Sequence, residues 1–165
     1  MAADLLVSQL EQQRRTVDFD TYDILVQQLI TMVETNAINV APAYQRQFRW
    51  DAKKRSQFIE SVFLGVPVPS LFMATNRDGT WEVVDGVQRL STLVQFAGTE
   101  GARERLGLKV SLALSELEKL SSFNEFQFLG LPKGLQLQFL HRPIKVITLS
   151  DKSDVIVRFD LFERL

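Results

Sequence analysis

Among its 165 residues the chain has no cysteine, a single histidine and no long apolar run. Without cysteine there is no disulfide framework, no thiol nucleophile and no thiolate metal site. The lone histidine, His141, has no second histidine to complete a metal or triad set, and it precedes Arg142-Pro143 at a junction between elements. No stretch approaches the roughly 18 apolar residues that a membrane span needs. The first ten residues carry Asp4 and lack the basic segment and apolar run of a leader peptide. A cytoplasmic location with no membrane partner is the expectation. Net charge is scarce as well: 19 basic residues face 20 acidic ones, a formal −1, so the chain as a whole is no polycation that clings to DNA.

What is present is a 45 % hydrophobic, 24 % charged composition, enough for one globular domain with a substantial core. Residues 21–35 place Tyr22, Leu25, Val26, Leu29, Ile30 and Val33 at helical spacing, with Asp20 as N-cap and Asn36 as stop. Residues 38–50 show no sustained period and hold Pro42, so they read as a short extended piece leading into a loop. Asp51 caps a second helix that carries Phe58, Ile59, Val62 and Phe63 and stops at Gly65. Residues 71–75 and 81–84 are apolar-rich runs around the Asp78-Gly79 signal of a hairpin. A helix over 87–97 follows at once, with Val87, Leu90, Leu93, Val94 and Ala97 on one face and Gln88, Ser91, Thr92 and Gln95 on another, and Gly98 ends it. Further on, 115–120 and 131–141 read as helices, 143–149 as a strand, and a last helix runs from 151 or 153 to the final residue. Helices mixed irregularly with a hairpin point to an α+β class. Residues 1–20 form an N-terminal extension, and the domain occupies 21–165. Because the final helix lacks a stop signal, the expectation is a fragment or truncated version of a longer protein.

Two constellations carry chemistry. Asp85-Gly86-Val87-Gln88-Arg89 lies at a strand-to-helix turn. The amides of a helix's first turn lack partners, and the aligned peptide dipoles place about half a positive charge there, so anions bind. Gly86 lets a ligand approach the backbone, Asp85 can cap the helix or hold a metal ion, and Gln88 and Arg89 add donors. Arg89 opposes the dipole by roughly 0.3–1 kcal/mol unless a bound phosphate or a protein carboxylate offsets it. The bland alternative is a common Asp-Gly turn with an arginine paired to a nearby acid. The segment is no phosphate loop of the Gly-x-x-x-x-Gly-Lys type. Ser91 and Thr92 are helix-surface or ligand-contact hydroxyls rather than nucleophiles, since no base can be assigned to them.

The second constellation gathers Arg46, Arg49, Lys53, Lys54 and Arg55 against one acid, Asp51, with Tyr44, Phe48 and Trp50 among them. Arginine forks match phosphate oxygens, and tyrosine or tryptophan stacks on bases. The plain alternative is that the aromatic rings anchor the loop to the core while the cations face solvent. No metal-ligand spacing stands out. A metal would be magnesium, held in part by nucleotide phosphates.

Three blocks taken together are more specific: Pro42-Ala43-Tyr44-Gln45-Arg46-Gln47-Phe48-Arg49-Trp50, then Val84-Asp85-Gly86-Val87-Gln88-Arg89-Leu90-Ser91-Thr92-Leu93, then Phe159-Asp160-Leu161-Phe162-Glu163-Arg164-Leu165. In this order they resemble the N-terminal domain of GmrSD-type modification-dependent restriction systems. The resemblance implies a ParB/sulfiredoxin-like α+β domain, a small mixed sheet with surrounding helices, that binds and in several members hydrolyses nucleoside triphosphate through an Asp-Gly-Gln-Gln-Arg motif. It also implies coupling to an HNH-type nuclease domain or subunit in defence against phage DNA. Carried over by position, Asp85, Gln88 and Arg89 are the chemically active set, with magnesium at Asp85. Tyr44, Gln45, Arg46, Gly86 and Thr92 then bind the nucleotide. Val87 stands where the motif has its first glutamine, which removes a donor and bears on hydrolysis more than on binding. With no nuclease domain in these residues, the chain alone is not expected to cut DNA.

The leading expectation is therefore a nucleotide-binding regulatory domain, with Arg46 and Arg89 neutralising charge at the phosphates. The rival is a DNA-binding sensor that uses Arg49, Trp50, Lys53, Lys54 and Arg55, without triphosphate chemistry.

Overall fold

A computed structural model gives the arrangement of residues 1–14, 18–40, 49–150 and 163–164. In chain order the helices and strands are α1 (Ala2–Arg14), β1 (Phe19–Leu25), α2 (Val26–Glu34), β2 (Ile38–Asn39), α3 (Ala52–Leu64), β3 (Leu71–Thr75), β4 (Trp81–Asp85), α4 (Val87–Ala97), α5 (Glu100–Arg105), α6 (Lys133–Leu140) and β5 (Pro143–Leu149). The strands form one mixed sheet in the order β1-β5-β3-β4-β2, and the whole is an α+β domain. β1 runs antiparallel to β5, β5 parallel to β3, β3 antiparallel to β4, and β4 parallel to β2.

Local chemistry accounts for much of this. Asp51 caps α3 by accepting from the Lys54 amide at 2.8 Å, and Gly65 ends the helix in the left-handed region at φ 72°. The β3–β4 hairpin turns at Gly79, φ 87°, while Asp78 Oδ1 accepts from the Thr80 amide at 3.0 Å. α4 and β5 occupy the stretches that their periodicity indicates. α6 is the core of the helix expected over 131–141.

Two expectations fail for tertiary reasons. The helix expected over 21–35 starts only at Val26, with Leu25 rather than Asp20 at its N-cap. Residues 19–25 are instead β1, paired with β5 from Phe19↔Leu149 to Leu25↔Pro143. Thr21, Tyr22 and Ile24 suit a strand, and a seven-residue ladder with a sequence-distant partner overrides helical spacing. Residues 115–120 form no helix. Their amides are drawn to side chains: Ser115 N–H donates to Ser56 Oγ at 3.0 Å, Leu117 N–H to Asn124 Oδ1 at 2.9 Å and Leu120 N–H to Glu60 Oε2 at 2.9 Å. The helix expected from 151 or 153 onward lies outside the described residues except at Glu163 and Arg164, which are helical.

One face of the sheet carries Leu71, Met73, Val83, Ile144 and Val146, and these pack into one core with Leu29, Ile30 and Val33 of α2, Phe58, Ile59 and Val62 of α3, and Leu90, Leu93 and Val94 of α4. Beside it Phe63, Phe96, Phe123, Phe128 and Phe139 form an aromatic cluster, with neighbouring ring centroids 4.8 to 6.2 Å apart and mostly edge-on. α1 has no buried residue. Phe139 is fully buried at the centre of the cluster, so Phe139→Ala is expected to destabilise the fold by about 3–5 kcal/mol in urea or thermal unfolding.

Candidate functional site at the start of α4

β4 delivers the chain to α4 through a single residue. Gly86 is the N-cap of α4 at φ 106°, ψ 18°, and a Cβ placed there would meet Leu71 Cδ2 at 2.5 Å. A glycine is required on both counts, by backbone conformation and by space. The first intrahelical bond runs from Leu90 N–H to Gly86 O at 2.9 Å, so the amides ahead of it have no carbonyl one turn earlier to accept from them.

Asp85 does not cap the helix. Its Oδ2 takes a 3.0 Å bond from Arg89 Nη2, and the carboxylate side chain is 37 % exposed where the arginine's is 11 % exposed. Arg89 Nη1 donates in addition to Pro69 O and to Ser70 O, the latter at 2.9 Å. The guanidinium therefore fastens the start of β3 to the start of α4. Burial pushes Arg89 below its ordinary pKa, and the charge and hydrogen bond of Asp85 pull it part of the way back. The protein carboxylate that offsets an arginine at a helix N-terminus is thus Asp85.

Gln88 is tied elsewhere. Its Oε1 accepts from Trp50 N–H at 2.9 Å, which joins the turn before α3 to the first turn of α4. The Trp50 ring meets Phe58 edge-on at 5.8 Å, and Lys54 Nζ sits 5.1 Å from the Trp50 centroid. Lys53 and Lys54 are exposed, as is Arg49. Arg55 departs from the expected cationic surface. It is only 7 % exposed, with Nε donating to Trp50 O at 3.2 Å and Nη1 to Gln95 Oε1. Its pKa is lowered, first by burial and then by the nearby charge of Arg49. A guanidinium enclosed in this way is turned from solvent and does not face a DNA backbone. Thr92 departs in the same sense: it is fully buried, and its hydroxyl donates to Gln88 O at 2.7 Å rather than facing a ligand. Ser91 is buried too, and Val87 packs against the core. The polar face of α4 is closed because α3 covers the middle of the helix, which periodicity alone cannot show.

Tyr44, Gln45 and Arg46 lie outside the described residues. Their described flanks are informative. β2 runs parallel to β4, so Val40 leaves the sheet at the end where Asp85 and Gly86 lie, and Trp50 resumes beside Gln88. For a metal, Asp85 offers one partly open carboxylate, and among the described residues no group of three or more potential liganding side chains exists. One carboxylate would suit a magnesium ion whose remaining ligands were phosphate oxygens and water. His141 is exposed at the end of α6. No helix among the described residues is long and apolar enough to cross a membrane.

The pattern of the GmrSD restriction endonuclease N-terminal domain matches residues 26–165, which takes in α2 through β5 and the whole turn at Gly86. The chain belongs to that family. The GmrSD family places it in a restriction-type anti-phage system. The chain matches no curated protein and no solved structure.

Sequence reasoning gave no role to Gln95 or to the carbonyls of Pro69 and Ser70. Gln95 was on the polar face with Gln88, seven residues earlier, and that spacing is the signal for its part in the contact with α3. The carbonyls carry no sequence signal. Because Arg89 satisfies two carbonyls and a carboxylate, Arg89→Ala is expected to destabilise the domain by about 2–3 kcal/mol in denaturant unfolding. Gly86→Ala, strained in φ and pressed on Leu71, should remove about 2 kcal/mol or more in the same assay.

Proposed function

We propose that this GmrSD-family domain is a nucleotide-binding regulatory module, holding the phosphates of a nucleoside triphosphate at the first turn of α4. The observation that carries this reading is the glycine-capped start of α4, where forward-pointing amides, a partly open carboxylate at Asp85 and the Gln88 carboxamide share one turn. Phosphate oxygens would accept from the amides, beside the Gln88 carboxamide that Trp50 N–H holds. Asp85 would be the residue to hold a magnesium ion, which would supply charge neutralisation at the phosphates. Arg89 acts by fixing Asp85 and the β3 start rather than by reaching the ligand itself. Tyr44, Gln45 and Arg46 remain the nucleotide-binding residues of this proposal by their place in the sequence between Val40 and Trp50. Hydrolysis and control of an HNH-type nuclease partner belong to the same proposal, as does a cytoplasmic setting.

Binding of ATP, GTP and CTP with magnesium, measured by calorimetry on the chain and on Asp85→Asn, tests it. At least one triphosphate is expected to bind, with affinity about tenfold or more weaker in Asp85→Asn and with the magnesium dependence removed. Binding of none of the three would sink the reading.

One observation favours a second reading. Lys53, Lys54 and Arg49 are exposed around Trp50, a cationic surface beside an aromatic ring that suits a DNA backbone. As a DNA sensor the domain would use these residues without Arg55. Affinity for duplex DNA should then fall by roughly 0.9 log units per phosphate contact for each log unit of salt, and Lys53→Glu with Lys54→Glu should abolish it. A salt-independent affinity, or one untouched by the charge reversal, would remove this role.

A further inference from the structure

Two surfaces are left over by the fold and by the site at α4, and their chemistry matches. The first is α1. Ala3, Leu6, Val7 and Leu10 recur at i, i+3, i+4 and i+7 and form one apolar stripe. Asp4 and Glu11, two helical turns apart, border that stripe along one side. α1 has no buried residue, and Leu6, Val7 and Leu10 are 68, 55 and 51 % exposed. A 13-residue helix is marginal in water without packing on its apolar face. The chain's own domain leaves that face uncovered.

The second surface is a cleft of about 250 Å³ where the end of α3 and residues 66–68 meet the start of β5. Its apolar lining includes Val62, Val66, Val68 and Ile144, and Arg142 and Lys145 stand in it as cations. The walls are fixed. Arg142 Nη2 donates to Phe63 O at 3.0 Å, and residues 66–68 run directly into Pro69 and Ser70, whose carbonyls Arg89 holds. Among the described residues Arg142 has no acid in salt-bridge contact, and Lys145 has only Asp23, 3.7 Å away with both side chains more than half exposed. The cleft is thus net positive. At this volume it lies below the roughly 300–1,000 Å³ of small-molecule sites and suits inserted side chains.

We infer that the cleft receives α1 of a second copy of this chain: Leu6, Val7 and Leu10 enter the apolar lining while Asp4 and Glu11 meet Arg142 and Lys145. The one acid of the cleft, Asp23, and the one basic side chain of α1, Arg14, repeat the match with the signs exchanged. Opposite charges along the border fix the register and disfavour a wrong partner. The stripe and the cleft belong to the same chain, so two copies that exchange α1 about a two-fold axis satisfy both and close the assembly at a dimer. Such a contact is small, at the weak end of specific interfaces, so it forms and dissociates with concentration. Docking here needs no ligand at the start of α4.

Sedimentation equilibrium of the full 165-residue chain over roughly 1–300 μM, a range suited to a weak interface, tests it. The wild-type chain should show a monomer–dimer equilibrium. Leu6→Glu with Leu10→Glu should raise the dimer dissociation constant about tenfold or more, and since α1 has no buried residue this change leaves the fold intact. Asp4→Lys with Glu11→Lys, and separately Lys145→Glu, should each weaken dimerisation. An equimolar mixture of these two charge variants should dimerise several-fold more tightly than either variant alone, because the mixed dimer places reversed α1 on reversed cleft and unaltered α1 on unaltered cleft. Docking of α1 onto its own chain gives no such recovery. A chain that stays monomeric throughout, a dimer unmoved by Leu6→Glu with Leu10→Glu, or a mixture no tighter than either variant alone would each overturn the proposal.

Discussion

The turn from β4 into α4 has to be made by one residue with left-handed φ against the side chain of Leu71, and only glycine meets both demands. Much else follows from that single residue. With Gly86 in place, α4 starts directly at the end of the sheet, its first amides point outward, and Asp85 and Arg89 fall one helical turn apart on the same side. A bulkier residue would push α4 off β3 and separate the groups that the turn now gathers.

Two enclosed arginines then tie this turn to its surroundings, in opposite electrostatic circumstances. Arg89 has a carboxylate and two carbonyls within reach and closes the gap between β3 and α4. Among the described residues Arg55 donates to neutral oxygens, and it closes the gap between α3 and α4 through the backbone of Trp50. Both sit where desolvation works against them, so each is held by geometry that the surrounding core enforces. Beside them the Asp85 carboxylate stays partly open at the turn, where the proposed phosphate site lies.

Legibility of the site in the sequence was uneven, and the reason differs by residue. Gly86 and the helix start could be read because a turn pair and a 3.6-residue period are local facts. That Arg89 pairs with an acid was one of two readings open from sequence, and the partner, Asp85, lies within the same motif. The fate of Arg55 and Thr92 was not legible. Both look like surface residues by type and by neighbourhood, yet the packing of α3 on α4 encloses one and seals the other. Nothing within a window of twenty residues around Arg55 names Gln95 as its acceptor.

By itself the sequence determined what is local: the caps at Asp51 and Gly65, the hairpin at Asp78-Gly79, the glycine at the head of α4, the strand at 143–149 and the order of motifs that places the chain in the GmrSD family. These depend on side chains within a few residues of one another, whose preferences act before any long-range contact exists. The tertiary structure alone decided that residues 19–25 become an edge strand rather than the first turns of a helix, that 115–120 give up helical bonds for the side chains of Ser56, Asn124 and Glu60, and that Trp50 is clamped between Gln88 and Arg55. In each of these a backbone group had a local choice of partner and a distant one, and the distant partner won because burial of the intervening apolar surface brings it close at no additional loss of chain entropy.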